Sequence, residues 1–320
     1  MFFSRTFAVS AAAFVCAMPS VVFACDLCAV YAADQASGQE SRGFYAGLSE
    51  QFTRYDRLTE GSQRLRDDSR QYLDSSITQF LFGYGFSPRF SVQLGVPYID
   101  RSFSRPGPIV NDSGTVSGLG DLNLVAQYSP WRYDSEDWTF TTRLLAGLKL
   151  PTGDSGRIAE ELTEGDEESA TPSGIHGHDL ALGSGSLDYV FGGDVGARYG
   201  RWLARANLQY ALRTRGDFDY RYGNDVQWTI GAGHYLLLTE GQTVALNVNF
   251  SGEYKYFDTF QGGHPEDTQS RILFLGPQIS SSFQDRYSVD FRADFPVQEY
   301  GSAIQTLPAY RLRLSFLMRF

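Results

Sequence analysis

Few residues in this chain are typed and spaced for chemistry, and they fall in two places. The first is "CDLCAVYA", where Cys25 and Cys28 stand as Cys-x-x-Cys. Such a pair can close a small disulfide in an oxidising compartment. Cys25 could instead take a lipid, because Val22-Phe23-Ala24-Cys25 partly matches an acylation site, with Phe23 the poor fit. A third reading has the pair lend two thiolates to a metal or cluster, although a zinc site needs four ligands. Haem attachment is excluded, since it needs His after the second Cys and Ala29 stands there.

The second place is the polar stretch 152–185. It carries Asp154, Glu160, Glu161, Glu164, Asp166, Glu167 and Glu168, then His176, His178 and Asp179. His-x-His with Asp suits a transition metal, and His264 in "GGHPED" could join them from another loop. The acidic run lacks the ligand rhythm of an EF-hand. Charge-rich connections are most often solvated surface loops, and that reading is favoured here, so neither metal nor cofactor is expected. No enzyme is expected either. No G-x-S-x-G elbow is present, and "GSGS" near Ser184 has no strand-to-helix context. No phosphate-cradling loop or dinucleotide fingerprint occurs.

The elements that must hold these residues begin after a leader. "MFFSRTFAVSAAAFVCAMPSVVFA" has a charge at Arg5, an apolar run from Phe7 to Met18, and small residues Val22 and Ala24 before the cut. That is the pattern of a secretory signal peptide, so 1–24 is read as leader and 25–42 as a periplasmic segment carrying the two cysteines. The net charge of −10 argues against nucleic acid as a partner.

From Gly43 onward the apolar period is two, the period of a strand. "WLARANLQYAL" sets Trp202, Ala204, Ala206, Leu208, Tyr210 and Leu212 against Arg205, Asn207 and Gln209. "TVALNVNFSGEYKYF" sets Leu246, Val248 and Phe250 against Asn247, Asn249, Glu253 and Lys255, and "YSVDFRADFPV" sets Val289, Phe291 and Phe295 against Asp290, Arg292 and Asp294. The beat predicts about twelve strands over 43–55, 71–86, 90–103, 119–129, 138–151, 186–199, 202–214, 225–238, 243–257, 270–283, 287–298 and 308–320. Short and long connections alternate; the long ones are 56–70, 104–118, 152–185, 215–224, 258–269 and 299–307.

Strand length, alternation and parity together predict an all-β fold: a closed antiparallel transmembrane β-barrel over 43–320 in the bacterial outer membrane. Short turns would face the periplasm and long loops the exterior. Closure follows because an open sheet edge in hydrocarbon leaves backbone groups unpaired. Strand-end aromatics Tyr84, Phe86, Tyr98, Tyr128, Trp138, Tyr199 and Trp202 would form the interfacial girdles. Arg205, Asn207, Gln209, Asn247, Asn249, Glu253, Asp290, Arg292, Asp294, Arg311 and Arg313 would then face the lumen. There they would either select a solute or fill the lumen with paired charge.

The final strand, "YRLRLSFLMRF", is similar to the β-signal of bacterial outer-membrane proteins, with Tyr310, Phe316, Met318 and Phe320 at the matching places. That resemblance implies recognition by the outer-membrane assembly machinery. "GLGDLNLVAQYSP" (Gly118 to Pro130), "LLAGLKLPTGD" (Leu144 to Asp154) and "LGSGSLDYVFGGDVGARYGRW" (Leu182 to Trp202) follow in order. This run resembles the family of outer-membrane transporters associated with the meta-pathway of phenol degradation, from about Phe80 to the end. The likeness implies passage or binding of a small, hydrophobic or aromatic solute. "CDLCAVYAA" is not part of that pattern. It leaves an alternative, a surface-binding or scaffold barrel whose Cys-x-x-Cys segment docks a periplasmic partner. An outer-membrane hydrolase is the second alternative.

Overall fold

The computed structural model describes residues 42–107, 109–163 and 172–320. The leader, the segment with Cys25 and Cys28, and Glu164, Asp166, Glu167 and Glu168 lie outside the described residues.

Period-two alternation needs a sheet with one apolar and one polar face, and the chain supplies it along almost its whole length. The strands are β1 (Gly43–Gly61), β2 (Gln63–Arg64), β3 (Tyr72–Ser87), β4 (Phe90–Arg105), β5 (Asp112–Leu119), β6 (Asn123–Tyr128), β7 (Arg132–Asp134) and β8 (Trp138–Lys149). They continue as β9 (Asp188–Tyr199), β10 (Trp202–Leu212), β11 (Tyr220–Arg221), β12 (Asp225–Leu238), β13 (Gln242–Lys255), β14 (Thr259–Phe260), β15 (Ser270–Phe283) and β16 (Tyr287–Arg319). Eleven of them form a ring, in the order β16-β15-β13-β12-β10-β9-β8-β6-β4-β3-β1, closed by β1 on β16. β2, β5 and β7 pair onto the ring from outside it, and β11 pairs with β14.

β16 is one extended run, yet it passes through the wall twice. Its first part pairs with β15 up to Gly301, and from Gly301 to Arg319 it pairs with β1. The Arg319 N–H donates to the Arg286 carbonyl at 2.8 Å, so the run doubles back on itself. A straight strand of that length would separate its ends by about 100 Å. The ring of eleven strands therefore makes twelve passes, as the sequence beat suggests.

The faces sort as alternation dictates. On β13, Asn247, Asn249, Ser251, Glu253 and Lys255 are buried, while Leu246, Val248 and Phe250 are exposed. The outward face is apolar from strand to strand. Tyr84, Phe86, Tyr98, Tyr128, Trp138, Tyr199 and Trp202 are all exposed on it. At the end of the barrel that carries the short turns, rings pack on one another: Phe44 on Tyr84, Tyr84 on Phe86 and Trp202 on His234 edge to face, and Trp138 on Tyr199 tilted.

Some expected loops are strand instead: 104–118 carries β5 and 299–307 lies within β16, and a third connection departs further. The connection between β8 and β9 does not behave as a solvated loop. It contains a 3-10 turn over Gly156–Leu162 and a short helix α1 (Gly177–Leu180), and it folds inward. Ile158, Ile175, Leu180, Ala181 and Leu182 are buried. Leu182 packs on Ile77 and Ile99; Ile175 and Leu180 pack on Leu73 and Phe103. The Thr306 N–H donates to the Gly174 carbonyl at 2.8 Å. Thr306 lies on the last pass of β16, across the ring from β9. The segment thus crosses the barrel mouth and plugs its long-loop end. The charges that suggested solvation are outweighed by these five apolar side chains, which find cover only inside the barrel.

Candidate functional site

Three layers fill the lumen below the long-loop mouth, and the sequence positions each through its strand alternation. The first is the plug and its anchor. Asp121, just ahead of β6, accepts hydrogen bonds from the Thr152 N–H (3.1 Å), the Gly153 N–H (2.9 Å) and the Ser184 N–H (3.0 Å). Its other partner is the Lys149 ammonium at 2.6 Å, which also pairs with Asp188 at 2.9 Å. Arg213 joins Asp188 to Asp225, at 2.8 Å to each. All five charged side chains are buried. The three motifs behind the family likeness, around Asp121, Lys149 to Gly153 and Ser184 to Asp188, therefore meet at one point. They fasten the two ends of the plug to each other. A close backbone crossing completes the fastening, because a Cβ on Gly183 would come within 2.5 Å of the Gly153 carbonyl carbon.

Further along the plug, the buried Arg101 donates to the Asp179 carbonyl (2.8 Å) and the Ala181 carbonyl (2.6 Å). His176 pairs with Asp267 at 3.0 Å, on the connection between β14 and β15. His178 Nδ1 meets Glu161 at 2.7 Å and its Nε2 meets Asp179 at 3.4 Å. The two imidazoles stack with centroids 5.8 Å apart, and His178 lies equally far from the Tyr220 ring. Burial opposes charge on His178, but the carboxylates of Asp179 and Glu161 outweigh it and push its pKa up to about 10. Burial likewise opposes charge on Glu161, and His178 overcomes it, holding the carboxyl down to about 2. Asp267 is held well below the usual carboxylate range against its own burial, chiefly by His176.

The metal candidates are placed as ion-pair partners. His176 and His178 each face a carboxylate, and His264 is exposed, with Nδ1 3.1 Å from the Asp258 carbonyl. Among the described residues, no three of His, Cys, Asp and Glu gather in a metal-binding group. Both ring nitrogens of His178 are taken by carboxylates, which leaves none to activate a serine.

The second layer is a small cavity of about 80 Å³ beneath the plug. One wall is apolar, from Leu73, Ile175, Ile272, Leu307 and Pro308; the other carries Arg101, Glu253, Lys255, Asp267 and Arg311. The third layer is a vestibule of about 350 Å³ towards the short turns, lined by amides, hydroxyls and charges. Between them stands a septum of buried ion pairs. Arg311 grips Glu253 through both nitrogens, the second at 2.9 Å, and its guanidinium lies 4.9 Å from the Phe274 ring centre. Arg292 meets Asp294 at 2.7 Å and Ser251 at 2.9 Å, and Arg313 lies 3.4 Å from Asp294.

Of the eleven lumen candidates, Glu253 and Arg311 line the small cavity. Arg205, Asn207, Asn247, Asn249, Asp290, Arg292 and Arg313 line the vestibule. Gln209 and Asp294 are buried. These positions were read from alternation, which reports only which face a side chain takes. It placed Lys149 on a polar face without singling it out, and it did not find Arg101, Asp121, Asp188 or Arg213. Asp121, Lys149, Asp188 and Arg213 sit at strand ends, where period two gives way to loop; the first three fall within the quoted family-like motifs and Arg213 does not.

No family model matches the chain, and no curated protein matches it. Among solved structures it is similar to an outer-membrane channel from Pseudomonas putida, at 13% identity and a TM-score of 0.60, covering 88% of this chain and 97% of that one. The β domain of a Bordetella autotransporter matches at 12% identity and a TM-score of 0.48, covering 88% and 100%. A Pseudomonas aeruginosa FadL homologue matches at 11% identity and a TM-score of 0.35, covering 87% and 90%. The first likeness alone is strong enough to compare folds, and the fold it shows is the closed antiparallel barrel of an outer-membrane channel.

Proposed function

We propose that this chain passes a small solute across the bacterial outer membrane, with the long loops outside, the short turns in the periplasm, and the β8–β9 plug as the closed gate. The observation that carries the reading is the stack of cavity, septum and vestibule along one lumen under a folded-in segment. Two spaces stacked along one lumen, each with polar lining, are what a solute path would offer. The half-apolar, half-charged cavity suits a small aromatic solute with a polar group, which agrees with the cargo the family likeness implies.

Phe316 and Phe320 stand exposed on the outer face, where a machinery that reads the last strand could reach them. We read them, with Tyr310 and Met318, as the assembly signal. The scaffold alternative rests on Cys25 and Cys28.

Planar-bilayer recording tests the gate. Replacing 156–181 by a short Gly/Ser linker should turn a nearly silent barrel into a steadily conducting one. A linker variant as silent as the parent chain would sink the passage reading.

A further inference from the structure

The vestibule has a second property that passage alone does not require. Two of its arginine pairs are built alike. Asp194 is shared by Arg205 at 3.0 Å and Arg143 at 3.6 Å, and Asp294 by Arg292 at 2.7 Å and Arg313 at 3.4 Å. In each set the carboxylate is sunk in the wall. The side chains of Asp194 and Asp294 are 5% and 0% exposed, while Arg205 keeps 32% and Arg313 12%. The cavity-facing side of each set is therefore guanidinium.

One aspartate cannot saturate two guanidiniums, each of which offers five N–H donors in a planar fork shaped for a carboxylate. Asp285, Asp290 and Arg319 also line the space, so five guanidiniums meet four carboxylates around it. The surplus is positive in a chain whose net charge is −10. A second observation points the same way. Asn207 is 9% exposed and lines the vestibule, and its Nδ2 donor has no partner in the protein. Leaving a buried donor unmet is unfavourable, and an acceptor in the cavity relieves it. Hydroxyls of Ser280, Ser282, Ser288 and Ser315 add small, reorientable partners for a polar anion.

We propose that this vestibule is a binding site for small carboxylates, with Arg205, Arg313 and Asn207 as its donors. The proposal rests on the reading of the lumen as a solute path and names the class of solute held at its periplasmic half: an organic acid. An aromatic acid that has passed the septum would meet this site with its carboxylate. The overall negative charge of the chain would slow the approach of such an anion, so the arginines must act at short range inside the lumen, where the low dielectric of the wall strengthens them.

Equilibrium binding to the folded barrel in a non-ionic detergent tests the site without relying on conduction. The probes are succinate and its uncharged counterpart succinamide, followed by ligand-observed NMR titration at low salt. Succinate should bind and succinamide should not. Arg205→Gln should weaken succinate by about tenfold or more, as expected for losing a charge-assisted hydrogen bond. Asp290→Asn removes a facing negative charge and should tighten it. The second variant adds affinity, so its result cannot be mistaken for misfolding. Equal affinity for the two probes, or succinate binding that ignores both substitutions, would overturn the proposal. A barrel that binds succinate in this pattern but never conducts would count against the passage reading and leave the site standing.

Discussion

At the scale of single residues, the interior is governed by what buried charge demands. Arg311 and Glu253 are almost wholly enclosed, and each is tolerable only because the other neutralises it. Glu253→Ala should therefore destabilise the barrel by ~3–5 kcal/mol, read as a lower urea midpoint in detergent or lipid vesicles. The double variant Glu253→Leu with Arg311→Met should return much of that loss, since replacing a buried pair by well-packed apolar side chains is often neutral. A single variant no weaker than the parent would show that water reaches the pair. Alternation alone placed Glu253 and Arg311 on the inner face. That they meet could not be read from it, because β13 and the last pass of β16 are not neighbours and the pair forms across the lumen.

At the scale of elements, the plug is a segment with two protonation locks. His178 holds its proton more tightly in the folded protein than in the unfolded chain, so its contribution is complete below pH about 6.5 and is lost as the pH climbs through about 10. Glu161 and Asp267 hold theirs less tightly when folded. Their contribution is complete above the ordinary carboxylate range and is lost on acidification, for Glu161 as the pH falls from about 4.5 towards about 2. The gate should accordingly be firmest between about pH 4.5 and 6.5 and loosen on either side. Open probability in bilayers, or the rate of cutting at Arg157 by an acid-tolerant protease below pH 4 and a neutral one above, measured from about pH 2 to 10, checks this. Glu161→Gln should weaken the acid limb and leave the part that Asp267 contributes. A flat profile in the parent chain would show that the plug is not held by these pairs. The anchor gives an independent handle, since Asp121→Asn leaves Lys149 short of a carboxylate. It should raise open probability across the whole pH range.

At the scale of the whole molecule, the outer surface is the inverse of a soluble protein's. Val248, near the middle of β13, is 58% exposed on the apolar face. Val248→Arg should lower folding stability in lipid vesicles by ~2–4 kcal/mol if it stands near the bilayer midplane. Asn247→Arg, one residue away on the inner face, should be far milder. Equal losses would mean that the outer face is not in lipid. Phe320→Ala should slow assembly into membranes in vivo while leaving the folded barrel's thermal stability nearly unchanged. Normal outer-membrane levels of this variant would remove the case for a terminal assembly signal.

Much of this architecture was legible in the sequence. Period two names the face of every strand residue, and hydrocarbon forbids an open edge, so strand positions, the inward set of polar residues and ring closure followed from local pattern and one physical constraint. The two passes of β16 were visible too, as two apolar beats separated by "EYGSAIQTL", although that stretch reads as a loop and is strand. The β8–β9 connection was not. Its acids and histidines have the composition of a solvated loop, and only the enclosed mouth of a closed ring gives Ile158, Ile175 and Leu180 somewhere to go. Nor could the sequence decide which charges pair across the lumen, because partners such as Arg311 and Glu253 are 58 residues apart and are brought together by the curvature of the wall. Local alternation determined the wall. What fills and closes it was decided by the tertiary structure, because those contacts exist only once the sheet has met its own first strand.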